Sequence, residues 1–160
     1  MNVVVGVGDC CVTSDPESVL ITYALGSCVG LTVYDPVAQV GGLLHFMLPC
    51  ASPGSAESGK SPWMFADSGI PKLFHEAYEK GAKKGRLRVR AAGGAQIMDD
   101  SGVFNIGQRN SVALRRILWK SGVMLAAEDM GGSEARTMRL EIASGRVMLR
   151  SPRDPVEKEL

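Results

Sequence analysis

Two apolar runs separated by a turn signal constrain the fold of this chain more than any other feature. Residues 29–34 and 40–48 are rich in the aliphatic and β-branched residues that are typical of strands. Asp35-Pro36 lies between them, and proline fixes φ at the second position of a turn. The two runs therefore predict a β-hairpin, which Pro49 ends because proline has no amide hydrogen to donate.

A cysteine and a histidine lie at one end of this hairpin. Cys28 closes a Gly-Ser-Cys turn just before the first strand, and His45, one of 2 histidines in the chain, lies in the second strand. A free thiol with a pKa of about 8.5 is only slightly ionised at neutral pH, so a neighbouring imidazole is its usual activator. A four-residue loop over 35–38 would place Cys28 directly opposite His45, with Cβ atoms about 4.5–5.5 Å apart. A five-residue loop would place the two side chains on opposite faces of the hairpin. Catalysis therefore requires a register in which the numbers of paired residues add to an odd total, or a bulge near Gly26-Ser27.

Further strands and two helices are predicted around the hairpin. Apolar alternation and turn signals predict strands at 2–7, 10–13, 19–24, 87–92, 123–127, 137–142 and 146–150. One amphipathic helix begins with Asp67 or Ser68 as its cap and Pro71 in its opening turn, and a second runs from about 108 to 120. Because the strands form hairpins more often than they alternate with helices, the predicted class is α+β. We expect one domain over residues 1–150 and a charged, flexible tail over 151–160.

Charge and composition argue against two classes of partner. Lysine and arginine total 18 against 17 acidic residues, which leaves no net field to attract nucleic acid or an anionic membrane. The apolar start of the chain lacks a basic segment and is interrupted by Asp9. We therefore expect neither a signal sequence nor membrane insertion, and a cytoplasmic protein.

Metal and cofactor sites are not indicated by the sequence. The 4 cysteines have no C-x-x-C spacing, so neither a disulfide framework nor a zinc site from Cys28, His45 and Cys50 is expected. Asp99-Asp100 precedes Ser-Gly and is interpreted as a turn. Gly93-Gly94 would let a ligand backbone approach closely, but the chain has no phosphate-binding glycine motif. No cofactor is predicted.

Three features have less direct interpretations. The segment at 50–62, rich in Gly, Pro and Ser, is either a lid or substrate-contact loop or an ordinary surface insertion. Arg109-Asn110 is expected to cap the second helix; the alternative is that it organises backbone near the site. Thr22 shares a strand face with Leu20 and Ala24, where its hydroxyl is expected to bond a nearby carbonyl.

Four short motifs follow one another along the chain. They are L-G-S-C-V at 25–29, H-F-M-L-P at 45–49, G-G-A at 93–95 and I-G-Q-R-N at 106–110. Together they resemble the CheD family, the chemoreceptor glutamine deamidases of bacterial chemotaxis. The resemblance implies packed mixed or antiparallel sheets with a sandwich-like core and two main helices outside. It also implies that Cys28 is the nucleophile, His45 the base and Thr22 the third member of the site.

The predicted activity is conversion of protein-bound glutamine to glutamate with release of ammonia. In this reaction Cys28 would attack the side-chain amide and His45 would transfer protons, through a thioester. Backbone amides at Ser27, Cys28 and Val29 are the expected oxyanion hole. The resemblance implies methyl-accepting chemotaxis receptors as substrates. The alternative is a regulatory protein that docks to a CheC-like phosphatase or to receptors without catalysis.

Overall fold

Strands dominate the described part of the chain, which is residues 1–51, 61–97 and 105–160 of a computed structural model. The predicted segment at 50–62 lies largely outside these ranges, and the predicted turn at Asp99-Asp100 lies wholly outside them. The described strands are β1 (Asn2–Val4), β2 (Asp9–Thr13), β3 (Val19–Leu25), β4 (Val29–Asp35), β5 (Val40–Phe46), β6 (Arg88–Gly93), β7 (Ala127–Met130), β8 (Arg136–Glu141), β9 (Val147–Arg150) and β10 (Lys158–Glu159). The described α-helices are α1 (Ala66–Glu79) and α2 (Ile106–Lys120).

The strands form two five-stranded sheets. The first sheet has the order β1-β3-β8-β9-β10, and the second has the order β2-β5-β4-β6-β7. Pairing is antiparallel except between β1 and β3 and between β6 and β7. The α+β prediction, with packed mixed sheets and two helices, is confirmed. In the part of the chain that the structure describes, no helix is long and apolar enough to cross a membrane.

The second sheet is buried on both faces, which gives the molecule two hydrophobic cores. An inter-sheet core forms where its inner face, including Leu43, packs against first-sheet residues such as Leu20 and Met138. A helix-side core forms where its outer face packs against α1 and α2. Successive side chains of a strand point to opposite faces, so every residue of β4 and of β5 is buried. These two strands are therefore a rigid base for any side chain that they carry.

The β4–β5 hairpin differs in register from the prediction. Its loop has four residues, but they are 36–39, because Asp35 pairs with Val40 and remains in the strand. The Asp35 carboxylate accepts hydrogen bonds from the amides of Val37 and Ala38, which holds the turn one residue later than expected. His45 consequently lies opposite Gly30, and the predicted direct pairing of Cys28 with His45 is wrong.

Helix α1 begins earlier than its capping signal predicts. Phe65 is the N-cap and makes no side-chain capping bond, while Asp67 lies in the first turn. The Ser68 hydroxyl donates instead to the carbonyl of Pro62, in the short 3-10 turn that precedes the helix. Pro71 therefore lies inside the helix rather than in its opening turn.

The end of the chain pairs with the first sheet, so the prediction of a free tail is wrong for its last residues. Strand β10 pairs antiparallel with β9, and the amide of Leu160 donates to Val147 O at 2.8 Å. Leu160 also packs against the inter-sheet core. Two ion pairs hold the same segment: Arg139 with Glu157, and Arg146 with Glu159. Composition predicted fraying because it does not reveal which side chains these charges meet.

Candidate active site

A buried histidine and a buried threonine are hydrogen-bonded between the two sheets. His45 on β5 and Thr22 on β3 are both fully buried, and His45 Nδ1 lies 2.7 Å from Thr22 Oγ1. The Thr22 hydroxyl donates to Val5 O at 2.6 Å, so its single proton is already used. Its oxygen must then accept from the imidazole. This assigns the proton of neutral His45 to Nδ1 and leaves Nε2 as the basic nitrogen.

Cys28 lies on the same side of the second sheet as His45. It occupies a bend between β3 and β4, is half-buried, and packs against the inter-sheet core. Gly30 lies opposite His45, and Cys28 comes two residues before Gly30. Cys28 and His45 therefore share a face of the sheet, as catalysis requires, but as diagonal neighbours and not as a direct pair. Diagonal neighbours lie about 7–8 Å apart, which is within reach of a side chain as long as histidine. Among the described residues His45 Nε2 has no hydrogen-bond partner, so the thiol and the imidazole are not bonded at rest.

Burial keeps both members of this pair neutral in the resting protein. It raises the pKa of the Cys28 thiol, against a smaller opposing effect from the residue's own backbone amide. It lowers the pKa of His45 to about 4. The residue opposite His45 on β2 is Asp9, but its side chain is exposed and accepts from the Cys10 amide. Thr22 is thus a neutral orienting group where many cysteine hydrolases have a charged or amide one.

The other cysteines and the second histidine are placed differently. Burial raises the pKa values of Cys10 and Cys11, and Cys50 is exposed. His75 is exposed on α1, where its Nε2 lies 2.8 Å from Glu79. No group of three His, Cys, Asp or Glu side chains that could hold a metal occurs within residues 1–51, 61–97 and 105–160. Cys11 pairs with Leu43 and packs against the same inter-sheet core as Cys28, so the face of the sheet does not distinguish these two thiols. Cys28 differs from Cys11 in lying in the bend before β4, outside the strand ladders.

The segment Gly26–Cys28, here called the cysteine turn, is held by the two residues that follow β6. The amide of Ala95 donates to Gly26 O at 2.8 Å, and the amide of Gly94 donates to Cys28 O at 2.9 Å. Gly93 has φ +118°, and a Cβ there would lie 2.2 Å from Cys28 O. Only glycine permits this close approach. The Gly-Gly pair therefore serves the approach of the cysteine turn, where the sequence had suggested the approach of a ligand.

The remaining carbonyl of the cysteine turn is held by a side chain of α2. Asn110 is fully buried, and its Nδ2 donates to Ser27 O and to Met47 O, both at 2.9 Å. The predicted capping role is wrong, because the N-cap of α2 is Asn105, and the contacts of Asn110 agree instead with the alternative that it organises nearby backbone. Asn110 instead belongs to the buried face of the helix, with Ala113 and Leu114. A polar residue at i in an i, i+3, i+4 apolar stripe was the signal that could have identified it.

The amides of the cysteine turn differ in their hydrogen bonding, and that of Gly26 donates to Ala24 O at 2.9 Å. Within the described part of the chain, neither the Ser27 nor the Cys28 amide donates to another residue. Val29 begins β4 and pairs with Phe46 on one side and Gly93 on the other. Its amide therefore belongs to a strand ladder, whereas the two amides before it do not.

The four sequence motifs converge on this turn. A Cβ on Gly107 would lie 2.3 Å from Ala95 O, so the first turn of α2 packs directly on the backbone that follows β6. The motif at 93–95 binds the cysteine turn from one side, and the motif at 106–110 binds it through Asn110. Met47, in the motif that contains His45, accepts the second Asn110 hydrogen bond. The four motifs, which are far apart in the sequence, therefore lie together around the cysteine turn.

Comparison with known proteins shows the family to which the chain belongs. A family model described as CheD chemotactic sensory transduction matches residues 47–151, more than half of the chain. A protein of Solibacter usitatus named "Probable chemoreceptor glutamine deamidase CheD" is 55% identical over 148 residues, covering 92% of this chain and 88% of that protein. "Probable chemoreceptor glutamine deamidase CheD 2" of Anaeromyxobacter dehalogenans is 48% identical, covering 93% of this chain and 94% of the relative. "Probable chemoreceptor glutamine deamidase CheD 1" of Syntrophus aciditrophicus is 44% identical, covering 98% of each. This chain therefore belongs to the CheD family.

Proposed function

We propose that this protein is a cytoplasmic chemoreceptor glutamine deamidase, which hydrolyses glutamine side chains of methyl-accepting chemotaxis receptors to glutamate and ammonia. The names of its relatives support the reaction and the substrate. One structural observation carries the chemistry: the hydrogen bond between Thr22 Oγ1 and His45 Nδ1, which makes Nε2 the basic nitrogen on the face that carries Cys28. A nucleophile and a base oriented by a third group are the usual requirements of covalent amide hydrolysis.

In the first half of the reaction the carbon–nitrogen bond is broken. His45 Nε2 takes the proton of the Cys28 thiol as the sulfur attacks the amide carbon, and a tetrahedral oxyanion forms. The imidazolium then gives that proton to the nitrogen, which leaves as ammonia. The product is a thioester between the former glutamine side chain and Cys28.

In the second half the thioester is hydrolysed. His45 Nε2 takes a proton from water as the water oxygen attacks the thioester carbon, and the carbon–sulfur bond then breaks. The imidazolium returns the proton to sulfur, which regenerates the thiol and leaves glutamate. Atoms and protons balance with water as the only co-reactant, so the scheme needs no metal or cofactor.

Proton transfer in this scheme accompanies attack rather than preceding it. Both groups are neutral at rest, because burial disfavours the charged form of each. Thr22 orients the ring without a negative charge, so it gives an imidazolium less support than a carboxylate would. The oxyanion itself would be stabilised by the free amides of Ser27 and Cys28. Val29 contributes by fixing the start of β4.

The test is conversion of receptor glutamines to glutamate, followed by peptide mass spectrometry. We expect conversion by the wild-type protein and none by Cys28→Ala. The matched controls change the other thiols and should retain most activity: Cys10→Ala, Cys11→Ala and Cys50→Ala. Loss of conversion in one of these controls, with Cys28→Ala still active, would refute the assignment. A protein that only docks to receptors or to a CheC-like phosphatase would leave every glutamine unchanged.

A further inference from the structure

The Asn110 side chain connects two backbone segments, one next to the proposed nucleophile Cys28 and the other next to the proposed base His45. Ser27, whose carbonyl it binds, directly precedes Cys28. Met47, whose carbonyl it also binds, follows His45 by two residues and lies just after β5. Both contacts are 2.9 Å long, and the Asn110 side chain that makes them is fully buried.

The contact with Ser27 O fixes the direction of the Cys28 amide. The C=O of residue 27 and the N–H of residue 28 belong to one planar peptide unit, and the chain has no cis peptide bond among its described residues. In a trans peptide the two groups point in opposite directions. With its carbonyl held against α2, this peptide must direct the Cys28 N–H away from the helix. That amide belongs to the residue that carries the attacking sulfur, so an attacked carbonyl oxygen would develop charge near it.

The orientation of the Asn110 amide group follows from its partners. Two carbonyls require a donor, so Nδ2 must face them, since the flipped amide would set Oδ1 against both oxygens. Oδ1 is then buried without a partner among the described residues. An unpaired buried acceptor destabilises the fold, and an apolar side chain beside Ala113 and Leu114 would avoid it. The two donated hydrogen bonds are therefore the property that an apolar residue could not supply here.

We propose that Asn110 is a positioning residue, which holds the Ser27–Cys28 peptide so that the Cys28 amide faces the oxyanion of the deamidation reaction. Hydrogen bonding to Ser27 O also polarises this peptide and makes the Cys28 N–H a stronger donor. The bond to Met47 O fixes the cysteine turn relative to the end of the strand that carries His45. This role deepens the proposed function and rests on it.

The test replaces Asn110 with leucine, which is close in size and has no donor, and with alanine. We expect kcat for receptor deamidation to fall about 10- to 100-fold in both variants with little change in KM, because the oxyanion interaction strengthens only in the transition state. Alkylation of the Cys28 thiol by iodoacetamide involves no oxyanion, so its rate and pH profile should stay within about twofold of wild type. Trp119→Ala, at the exposed end of the same helix, is the matched control and should leave both rates unchanged.

A second measurement does not depend on turnover. The carbonyl carbon shift of Ser27 and the amide shift of Cys28, read by NMR, should both move in Asn110→Leu because the hydrogen bond to that peptide is lost. Unchanged shifts, wild-type kcat, or alkylation that slows as much as deamidation would each overturn the positioning role. A wild-type protein that converts no receptor glutamine would instead refute the proposed function, whatever the NMR shifts of the variant.

Discussion

Replacing Thr22 with valine tests whether its hydroxyl orients the proposed base. Valine preserves the shape of threonine but removes the acceptor 2.7 Å from His45 Nδ1 and the donor 2.6 Å from Val5 O. The imidazole would then have a buried N–H without an acceptor, which favours transfer of the proton to Nε2 or rotation of the ring. A buried hydrogen bond of about 1–3 kcal/mol corresponds to roughly 5- to 150-fold in rate. We expect a loss of that size in single-turnover deamidation by Thr22→Val.

Two further variants make this result specific. Thr22→Ser keeps the hydroxyl and should retain much more activity than the valine variant. Thr32, on β4 of the second sheet, is also buried, but its hydroxyl donates only to Arg90 O, at 3.3 Å. Thr32→Val should therefore not slow deamidation. Thermal unfolding of all three variants checks that each is folded at the assay temperature. Equal single-turnover rates for Thr22→Val and wild type would show that Thr22 is a packing residue only.

The remaining predictions concern stability and the support of the site. His45 binds a proton below pH 6.5 when unfolded but only below about pH 4 when folded, so about 3 kcal/mol of stability should be lost as pH falls through this window. Chemical denaturation should show a flatter pH profile for His45→Gln than for His75→Gln, and similar profiles would contradict this. Asp35→Ala should lower the free energy of unfolding by about 3 kcal/mol, because the buried carboxylate accepts three backbone amides and an arginine; a loss below 1 kcal/mol would refute that role. Gly93→Ala should abolish deamidation and lower the melting temperature, whereas Gly85→Ala, which meets no atom within 4 Å, should do neither.

The hairpin was predictable because it depends on local patterns. Alternation and the Asp35-Pro36 signal were enough to predict β4 and β5, whereas Cys28 and His45 were predicted on one face only for a four-residue loop or a bulge, and the loop observed has four residues. The register itself was not predictable from loop length alone. It depends on whether Asp35 ends the strand or stays in it, which is decided by the hydrogen bonds that its carboxylate makes.

Contacts between distant parts of the chain were the features that the sequence did not reveal. Asn110 lies 83 positions from the carbonyl of Ser27, and nothing in its local sequence indicates that partner. The same holds for the end of the chain, where β10 pairs with β9 and Leu160 reaches the inter-sheet core. Thr22 was assigned through the family resemblance, and the residues alone predicted only a hydroxyl bonded to a carbonyl. The structure contains that hydrogen bond, in which the Thr22 hydroxyl donates to Val5 O. Because its proton is used there, the Thr22 oxygen accepts from His45 Nδ1.

The most direct test of the account is identification of a thioester at Cys28 during turnover. A receptor peptide containing a substrate glutamine would be mixed with an excess of enzyme, quenched in acid within the first turnover, and mapped by mass spectrometry. The account predicts that the peptide, less one ammonia, is attached to Cys28 and that Cys28→Ala forms neither this adduct nor glutamate. An adduct on Cys10, Cys11 or Cys50, or deamidation at the wild-type rate by Cys28→Ala, would contradict it.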